Sequence, residues 1–530
     1  MRILQISNSD IQGGAARAAY RLHRGLRAIG QDSQMVVRHK ASTDLSVAQL
    51  EWQAASAAAA AVEQNLALLQ SRYIHHNRTP RSNTSFSLPY PGIDLSNTPE
   101  MLACDVVNLH WVAYLQSPVT LWKLGAIAKP IVWTLHDMWA FTGGCHYSAG
   151  CSQYQQTCAT CPQLEADPFH LTEVILQDKA DLWADLPLVI VAPSQWLADC
   201  AKRSQVFRNH RVEVIPYGLE TEVFQAIAKP TAKQSLGLDP SVVTLLIGAD
   251  DGNEQRKGFT ELVEALRLCA QSEEMQALLQ ANRLQILCFG TPSPRLSELN
   301  LPLHPLGRIE SDLVLSEIYS AADLFILPSL EDNLPNTMLE ALSCGTPVLA
   351  FAIGGIPDVV QHQETGYLVP EGDIAGLATA IAHCLSHEDW RSHWSQAARQ
   401  HIEQNYSLTL QASRYLALYE DLTRSAPPRS FTPIPEADLS AAPLLDLDFG
   451  SYFQQIYPPL MFQTLQTAFQ TTHKQLRQTQ RQLERSQSHL QQTEAELQQT
   501  RDRLTALETS KFLKMRTFWF KLKQLLHRSD

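Results

Sequence analysis

Nowhere in its 530 residues does this chain hold a clean apolar run of about 20 residues, the length a membrane-crossing helix needs. The alanine-rich stretch from Ala54 to Ala61 is bounded by Glu51, Gln53, Glu63 and Gln64. The opening MRILQISNSD is a four-residue apolar strand followed by polar residues, not the long apolar core of a secretory signal, so the expected location is the cytoplasm. Basic charge is short as well. Forty-two Lys and Arg against 54 Asp and Glu leave a formal net charge of −12, which argues against a nucleic-acid backbone as the main partner. Of ten cysteines, six are scattered singly, mostly in apolar surroundings, and read as reduced, packed thiols. The GxGxxG spacing of dinucleotide binders is missing too: Gly13 and Gly14 stand in GlnGlyGlyAla, which counts against a nicotinamide oxidoreductase.

What remains is an ordinary globular composition, 45% hydrophobic and 18% charged, in a chain too long for one core. Short apolar or β-branched runs recur at Ile3–Ile6, Gln34–Val37, Asp105–Leu109, Ile131–Leu135 and Leu188–Ala192. They recur again at Val242–Ile247, Leu284–Phe289, Asp323–Leu327 and Pro347–Phe351. The stretches between them are long enough for helices. This alternation predicts an α/β protein of two doubly wound, Rossmann-like parallel sheets facing a cleft.

The most informative segment is LPSLEDNLPNTMLEALSCGTPVLAFAIGGIPD, from Leu327 to Asp358. A strand end leads into a polar turn with Glu331, Asp332, Asn333 and Asn336. A helix opens near Thr337 with Glu340 in its first turns, and a second buried strand ends at Gly354 and Gly355. Such units build ligand clefts at the carboxyl ends of parallel sheets. Unpaired amides at the helix start favour an anion, and the Glu340 carboxylate accepts from a pair of hydroxyls, a combination that fits a nucleotide or a sugar.

This segment resembles the donor-binding signature of family 4 of the glycosyltransferases, in which two carboxylates eight residues apart bracket a loop and helix start. Glu340 with LeuSerCysGlyThrProVal matches the second carboxylate. The first falls on Asp332, where the family usually has Glu, with Glu331 as the alternative. The resemblance implies the GT-B architecture and a retaining transfer from a nucleotide sugar, UDP- or GDP-linked, without a catalytic metal. It implies that Glu340 holds the ribose and Asp332 the hydroxyls of the donor sugar. Arg256-Lys257-Gly258, after the strand Leu245–Ala249, resembles the family's diphosphate clamp, Lys257 being the closer match. TrpThrLeuHisAsp matches the point where the family sets a His against the donor sugar, which gives His136 that contact and leaves Asp137 beside it. Asn336, Thr337, Gly13, Gly14, Gly354 and Gly355 match donor-side positions, and Asp358 stands where Glu is common. Asn108, His110 and Trp111, at another strand end, are candidates for the acceptor side.

Cys145, Cys151, Cys158 and Cys161 fall within 17 residues and end in CxxC. The spacing fits a structural zinc shaping the loop after His136, with His146 able to replace one thiol; free thiols or a redox pair are the alternatives. The cluster resembles one in exopolysaccharide glycosyltransferases of the colanic-acid type, which share the TLHD run and AsnLeuProAsnThr.

The expected division is an acceptor domain over 1–205, a donor-binding domain over 206–405 and a crossover helix over 406–424. A Pro-rich linker over 425–461, a coiled coil over 462–510 and a basic amphipathic helix over 511–530 complete it. In the tail, Phe462, Phe469, Leu476, Leu483, Leu490, Leu497 and Leu504 recur every seven residues. Leu465, Thr472, Thr479, Ser486, Thr493, Thr500 and Leu507 each follow three positions later. The pattern reads as a self-associating coiled coil or a solvated spacer helix. The final segment sets Phe512, Met515, Trp519, Leu522 and Leu526 against Lys514, Lys521 and Arg528, with Lys511, Arg516 and Lys523 in support. That fits an anionic bilayer surface, a cap on the coil or a partner-binding helix. The function expected is hexose transfer to a lipid-linked or polysaccharide acceptor; a weakened homologue serving as a scaffold and a sugar-nucleotide epimerase are the rivals.

Overall fold

The computed structural model describes residues 1–52, 56–127, 129–291, 293–425, 443, 445–509 and 511–526, the side chains of 508 and 526 excepted. It divides into two units, Met1–Leu460 and Met461–Asp530. The first holds two parallel sheets. In one, the seven strands lie in the order Val47–Gln49, Asp32–His39, Arg2–Ser9, Val106–Leu109, Ile131–Thr134, Leu188–Ala192, Arg211–Val214. In the other, six strands lie in the order Leu303–Gly307, Leu284–Gly290, Val243–Ala249, Leu324–Leu327, Val348–Phe351, Gly366–Val369. The central strands are buried on both faces, as in Leu188–Ala192 and Val243–Ala249, and so read as unbroken apolar runs. The edge strands Arg211–Val214 and Leu303–Gly307 are partly exposed, and their polar residues hide them from a search for apolar runs.

Helices cover both faces, and their starts are written locally. Ser117 and Thr120 form a capping box ahead of Pro118–Gly125, and Ser194 caps Gln195–Arg203 through the amide of Leu197. Helix Leu408–Ser425 returns to the first sheet, where Ala412, Tyr415, Leu418 and Tyr419 pack with Ile3, Leu22, Leu26 and Val106.

The extended linker expected over 425–461 is corrected at its distal end. Its prolines at 427, 428, 433 and 435 lie outside the described residues, but Leu445–Asp446 pairs antiparallel with Gly92–Ile93, and a helix begins at Ser451. That helix contains Pro458 and Pro459, a residue type that inside a helix removes a backbone hydrogen bond. Its start is held by tertiary contacts instead. Asp178 accepts from the amides of Tyr452 and Phe453, both at 3.0 Å, and from the Tyr90 hydroxyl at 3.1 Å. Tyr90, Phe449 and Phe453 pack ring against ring, with Tyr90 and Phe453 4.6 Å apart, and Lys123 pairs with Asp446 at 2.6 Å.

In the second unit, helical structure runs on to Thr509 and resumes over Lys511–Leu526. The leucine column and the aromatic residues of the last helix are exposed.

Asp178→Ala removes the acceptor of three donors, two of them buried, so it should cost about 1–3 kcal/mol of stability, read as a lower unfolding midpoint of the full chain. An unchanged midpoint would show that this cap holds nothing.

Candidate active site

In each sheet the strand order reverses once near the middle. The reversals fall between Arg2–Ser9 and Val106–Leu109, and between Val243–Ala249 and Leu324–Leu327. Loops leaving neighbouring strands there turn to opposite faces and open a crevice at the carboxyl ends. The loops of both sheets line one cleft of ≈ 340 Å³, within the range that takes a small ligand. Gly14, Arg17, His136, Asp137, Tyr147 and Tyr217 come from the first lobe and its exit; Arg256, Lys257, Arg308, Asp332, Asn333, Asn336, Thr337 and Glu340 come from the second.

Charge in the cleft centres on Asp332. Its carboxylate meets Lys257 Nζ at 2.7 Å and Arg256 Nη1 at 3.3 Å. Burial would raise its pKa, but Lys257 first and then Arg256 hold it below the usual carboxylate range. Arg256 also pairs with Glu254 at 2.8 Å and lies 4.3 Å from the centre of the Tyr147 ring. Gly258 makes this approach feasible. Its φ is +68°, and a Cβ there would stand 1.8 Å from the Pro328 carbonyl oxygen.

Helix Asn336–Ser343 starts at the cleft with Pro335 as its cap residue and no side-chain cap, so its amide end keeps capacity for an anion. Asn336 donates to the Gly14 carbonyl at 2.9 Å. Glu340 accepts from Arg21 at 2.8 Å and from the Tyr319 hydroxyl at 3.1 Å. Arg21 also meets Glu220 at 2.9 Å, and Arg17, one turn earlier on the same helix, pairs with Asp312. The sequence reading missed Arg17 and Arg21. Two arginines four apart in the alanine-rich helix after Gly13 and Gly14 were the available signal.

Across the cleft, His136 uses both ring nitrogens inside the protein. Nδ1 lies 2.7 Å from the Tyr217 hydroxyl, and Nε2 lies 3.1 Å from His110 Nδ1. Burial pushes His136 down to about 4 and His110 well below the ordinary value, so both rings are neutral near pH 7. His110 reaches Gln5 at 2.7 Å, which fixes the chain of contacts. The His136 carbonyl accepts from Asn333 at 3.1 Å, joining the two lobes.

Comparison with known proteins gives this geometry a family. Residues 242–387 match the model of the family described as glycosyl transferases group 1. The second lobe is a group 1 glycosyltransferase domain. The chain is 26% identical over 71% of its length to the putative colanic acid biosynthesis glycosyl transferase WcaC of Escherichia coli, covering 89% of that protein. It is 32% identical over 21% of its length to the N-acetyl-alpha-D-glucosaminyl L-malate synthase of Bacillus anthracis, covering 29% of it. It is 29% identical over 41% to the D-inositol 3-phosphate glycosyltransferase of Kribbella flavida, covering 52% of it. The chain thus spans about half or less of the latter two relatives. Sucrose-phosphate synthase of Thermosynechococcus elongatus superposes with a TM-score of 0.55 at 19% identity, over 80% of this chain and 100% of that one. HepE of Anabaena, solved in complex with UDP-glucose, gives 0.54 at 16%, again over 80% and 100%. The fold is GT-B.

Around the group 1 domain, several residues stand elsewhere than expected. Glu331 is no substitute for Asp332: its carboxylate points to the amides of Ser148 and Ala149, at 3.2 and 2.9 Å, on the cysteine-rich loop. Gly13, Gly354 and Gly355 are not among the cleft-lining residues. Gly354 and Gly355 instead let the polar turn pack, since a Cβ on either would meet the carbonyl of Asp332 or Asn333 at 1.8 or 2.0 Å. Asp358 accepts from the Gln195 amide at 2.7 Å. Asn108 is buried against the Tyr419 hydroxyl at 2.9 Å. Asp137 is spent on the loop, accepting from Trp111, the Trp139 amide and His146.

The zinc expected on Cys145, Cys151, Cys158 and Cys161 is not supported. The four free thiols border one small space, yet among the described residues no group of three or more His, Cys, Asp or Glu is placed to hold a metal ion. Burial pushes Cys158 up to about 12 and Cys145 well above its ordinary value. His146 does not replace a thiol, because its nitrogens are taken by Asp137 at 2.6 Å and Ser87 at 2.9 Å. Hydrogen bonds shape the loop instead: buried Lys179 donates to the carbonyls of Trp139 and Thr142 at 2.5 and 3.0 Å.

The buried neutral histidines set an acid limit. His136 and His23 fall to about 4 from an ordinary 6.5, both through burial, so the unfolded chain binds more protons between those values. Stability should be full above pH 6.5 and fall as pH drops toward 4, on the order of 2 kcal/mol per histidine at pH 5. Unfolding midpoints across that range check it, and His23→Gln should flatten the slope.

Proposed function

We propose that the protein is a retaining glycosyltransferase that moves a hexose-type sugar from a UDP- or GDP-sugar to a lipid-linked or polysaccharide acceptor in cell-surface glycan synthesis. The observation that carries this reading is the Lys257–Asp332–Arg256 cluster beside the start of helix Asn336–Ser343, facing His136 across one cleft. The group 1 match over residues 242–387 and the glycan-synthesis name of the Escherichia coli relative support it. So does the UDP-glucose held by the Anabaena neighbour.

In this reading the second lobe, over about 206–405, takes the donor, and the first, over 1–205, takes the acceptor. The departing diphosphate gains negative charge as the bond to the anomeric carbon breaks. Lys257, Arg256 and the amide end at Asn336 and Thr337 are positioned to offset that charge. Glu340 is fixed by Arg21 and Tyr319, and its oxygens retain lone pairs for ribose hydroxyls. Asp332 takes hydroxyls of the donor sugar once the diphosphate competes for its two cations. His136, neutral and held by Tyr217 and His110, shapes the sugar end rather than acting as a base. The acceptor oxygen bonds to the anomeric carbon from the face the phosphate is leaving, and the phosphate oxygen takes the acceptor's proton.

The work site in this reading is the inner face of the cell membrane. No described helix is long and apolar enough to cross a membrane. Helix Lys511–Leu526 exposes Phe512, Met515, Trp519 and Leu522 among Lys511, Lys514, Arg516, Lys521 and Lys523, which suits an anionic bilayer surface.

A thermal-shift panel of nucleoside diphosphates and their sugars tests the donor; a true ligand at about 100 times its Kd stabilises by about 2.7 kcal/mol. Lys257→Ala should lower the unfolding midpoint of the unliganded protein, because buried Asp332 keeps only Arg256, and lower turnover of the folded protein with that donor by about 10²- to 10³-fold. A panel without a binder, or a loss under tenfold, would refute the assignment. Separately, removing residues 511–530 should abolish co-sedimentation with anionic liposomes; unchanged binding excludes the membrane role.

A further inference from the structure

The column that starts at Phe462 and ends at Leu504 is an apolar stripe with members 53% to 73% exposed. We infer that its partner is a second copy of this chain, parallel and in register. The inference is independent of the glycosyl-transfer reading.

The weak point of such a seam is the second column, which is mostly Thr. The structure removes the objection. Thr472, Thr479, Thr493 and Thr500 each donate their hydroxyl to the carbonyl four residues back, at 2.8 to 3.1 Å. With the hydroxyl satisfied on its own helix, each threonine can turn a methyl group to a partner without burying an unpaired donor.

Charge selects the partner and its direction. With the leucine column at heptad position a, the flanking e and g positions face across the seam, g of one helix opposite e of the next heptad on the other. In a parallel pair Glu496 meets Arg501 of the second copy, and His489 meets Glu494. The remaining facing pairs over the earlier heptads, Ala468–His473, Gln475–Gln480 and Gln482–Gln487, set no like charges together. An antiparallel pair with its apolar columns overlapped would lay the charged half against the glutamine half and leave Glu496 and Arg501 facing neutral residues or His. Neither has an opposite charge three or four places away on its own helix, so each lacks a local ion-pair partner at helical spacing. A parallel pair also brings both Lys511–Leu526 helices to the same end, where two basic, aromatic faces would bind a surface with avidity.

Light scattering and sedimentation equilibrium on the full chain test this at low salt. The unaltered chain should associate, and Leu483→Asp with Leu490→Asp should return it to single copies while the unfolding of residues 1–460 is preserved. Glu496→Lys should weaken association by about tenfold, and adding Arg501→Glu should restore it. Leu490→Cys should give a covalent pair on oxidation beyond any formed by the native cysteines. A chain that stays single at tens of micromolar overturns the proposal. So does association in which the charge swap restores nothing and Leu490→Cys does not cross-link, because that pair is not parallel and in register.

Discussion

One buried guanidinium ties the two halves of the first unit together. Arg21 is only 3% exposed, on a helix whose other buried positions are mainly Ala and Leu, and it is shared between Glu340 and Glu220. Burying three charges is expensive, and it is tolerable only where each finds a partner with good geometry. Arg21 meets that condition with contacts of 2.8 and 2.9 Å and with the face of Phe224 5.3 Å away. Glu340 lies on helix Asn336–Ser343, so the pair sets where that helix begins relative to the first lobe. The placement of Asn336 and Thr337 at the cleft follows from it.

A second balance operates in the polar turn ahead of the same helix. Lys257 and Arg256 are partly buried cations that would be costly without a counter-charge, and Asp332 supplies it. The shorter side chain at this position therefore still reaches both cations. Next to it, Glu331 turns the other way and is held by two amides of the cysteine-rich loop. Burial raises its pKa, and those amides offset part of the effect. Two adjacent carboxylates thus serve different partners, Asp332 the two cations and Glu331 the loop amides.

Much of this was legible in the sequence because it depends on local pattern. Buried central strands are apolar runs, and the loops and helix starts that come after them carry His136, Lys257, Asp332 and Glu340, all four of which line the cleft. What could not be read depends on where a side chain points. Glu331 and Asp332 differ by one position and face different partners. Asp137 and His146 looked like site residues but are consumed holding each other. The cysteines are close in sequence, yet no metal-holding group is formed among the described residues. Edge strands were missed for lack of an apolar face, and the helix through Pro458 and Pro459 because the contacts that support it come from Asp178 and Tyr90, hundreds of residues away.

That support decides where the chain can be cut. A shortened version ending in the proline-rich stretch after Ser425 would look natural from composition, but it would strip Leu445–Asp446 from its neighbour Gly92–Ile93 and remove Phe449 and Phe453 from the Tyr90 ring. It would also leave the Asp178 carboxylate buried beside Tyr90 without its two amide donors. The first compact unit therefore reaches Leu460, within helix Ser451–Thr509, and a fragment made for crystallisation must carry that helix's first turns with it.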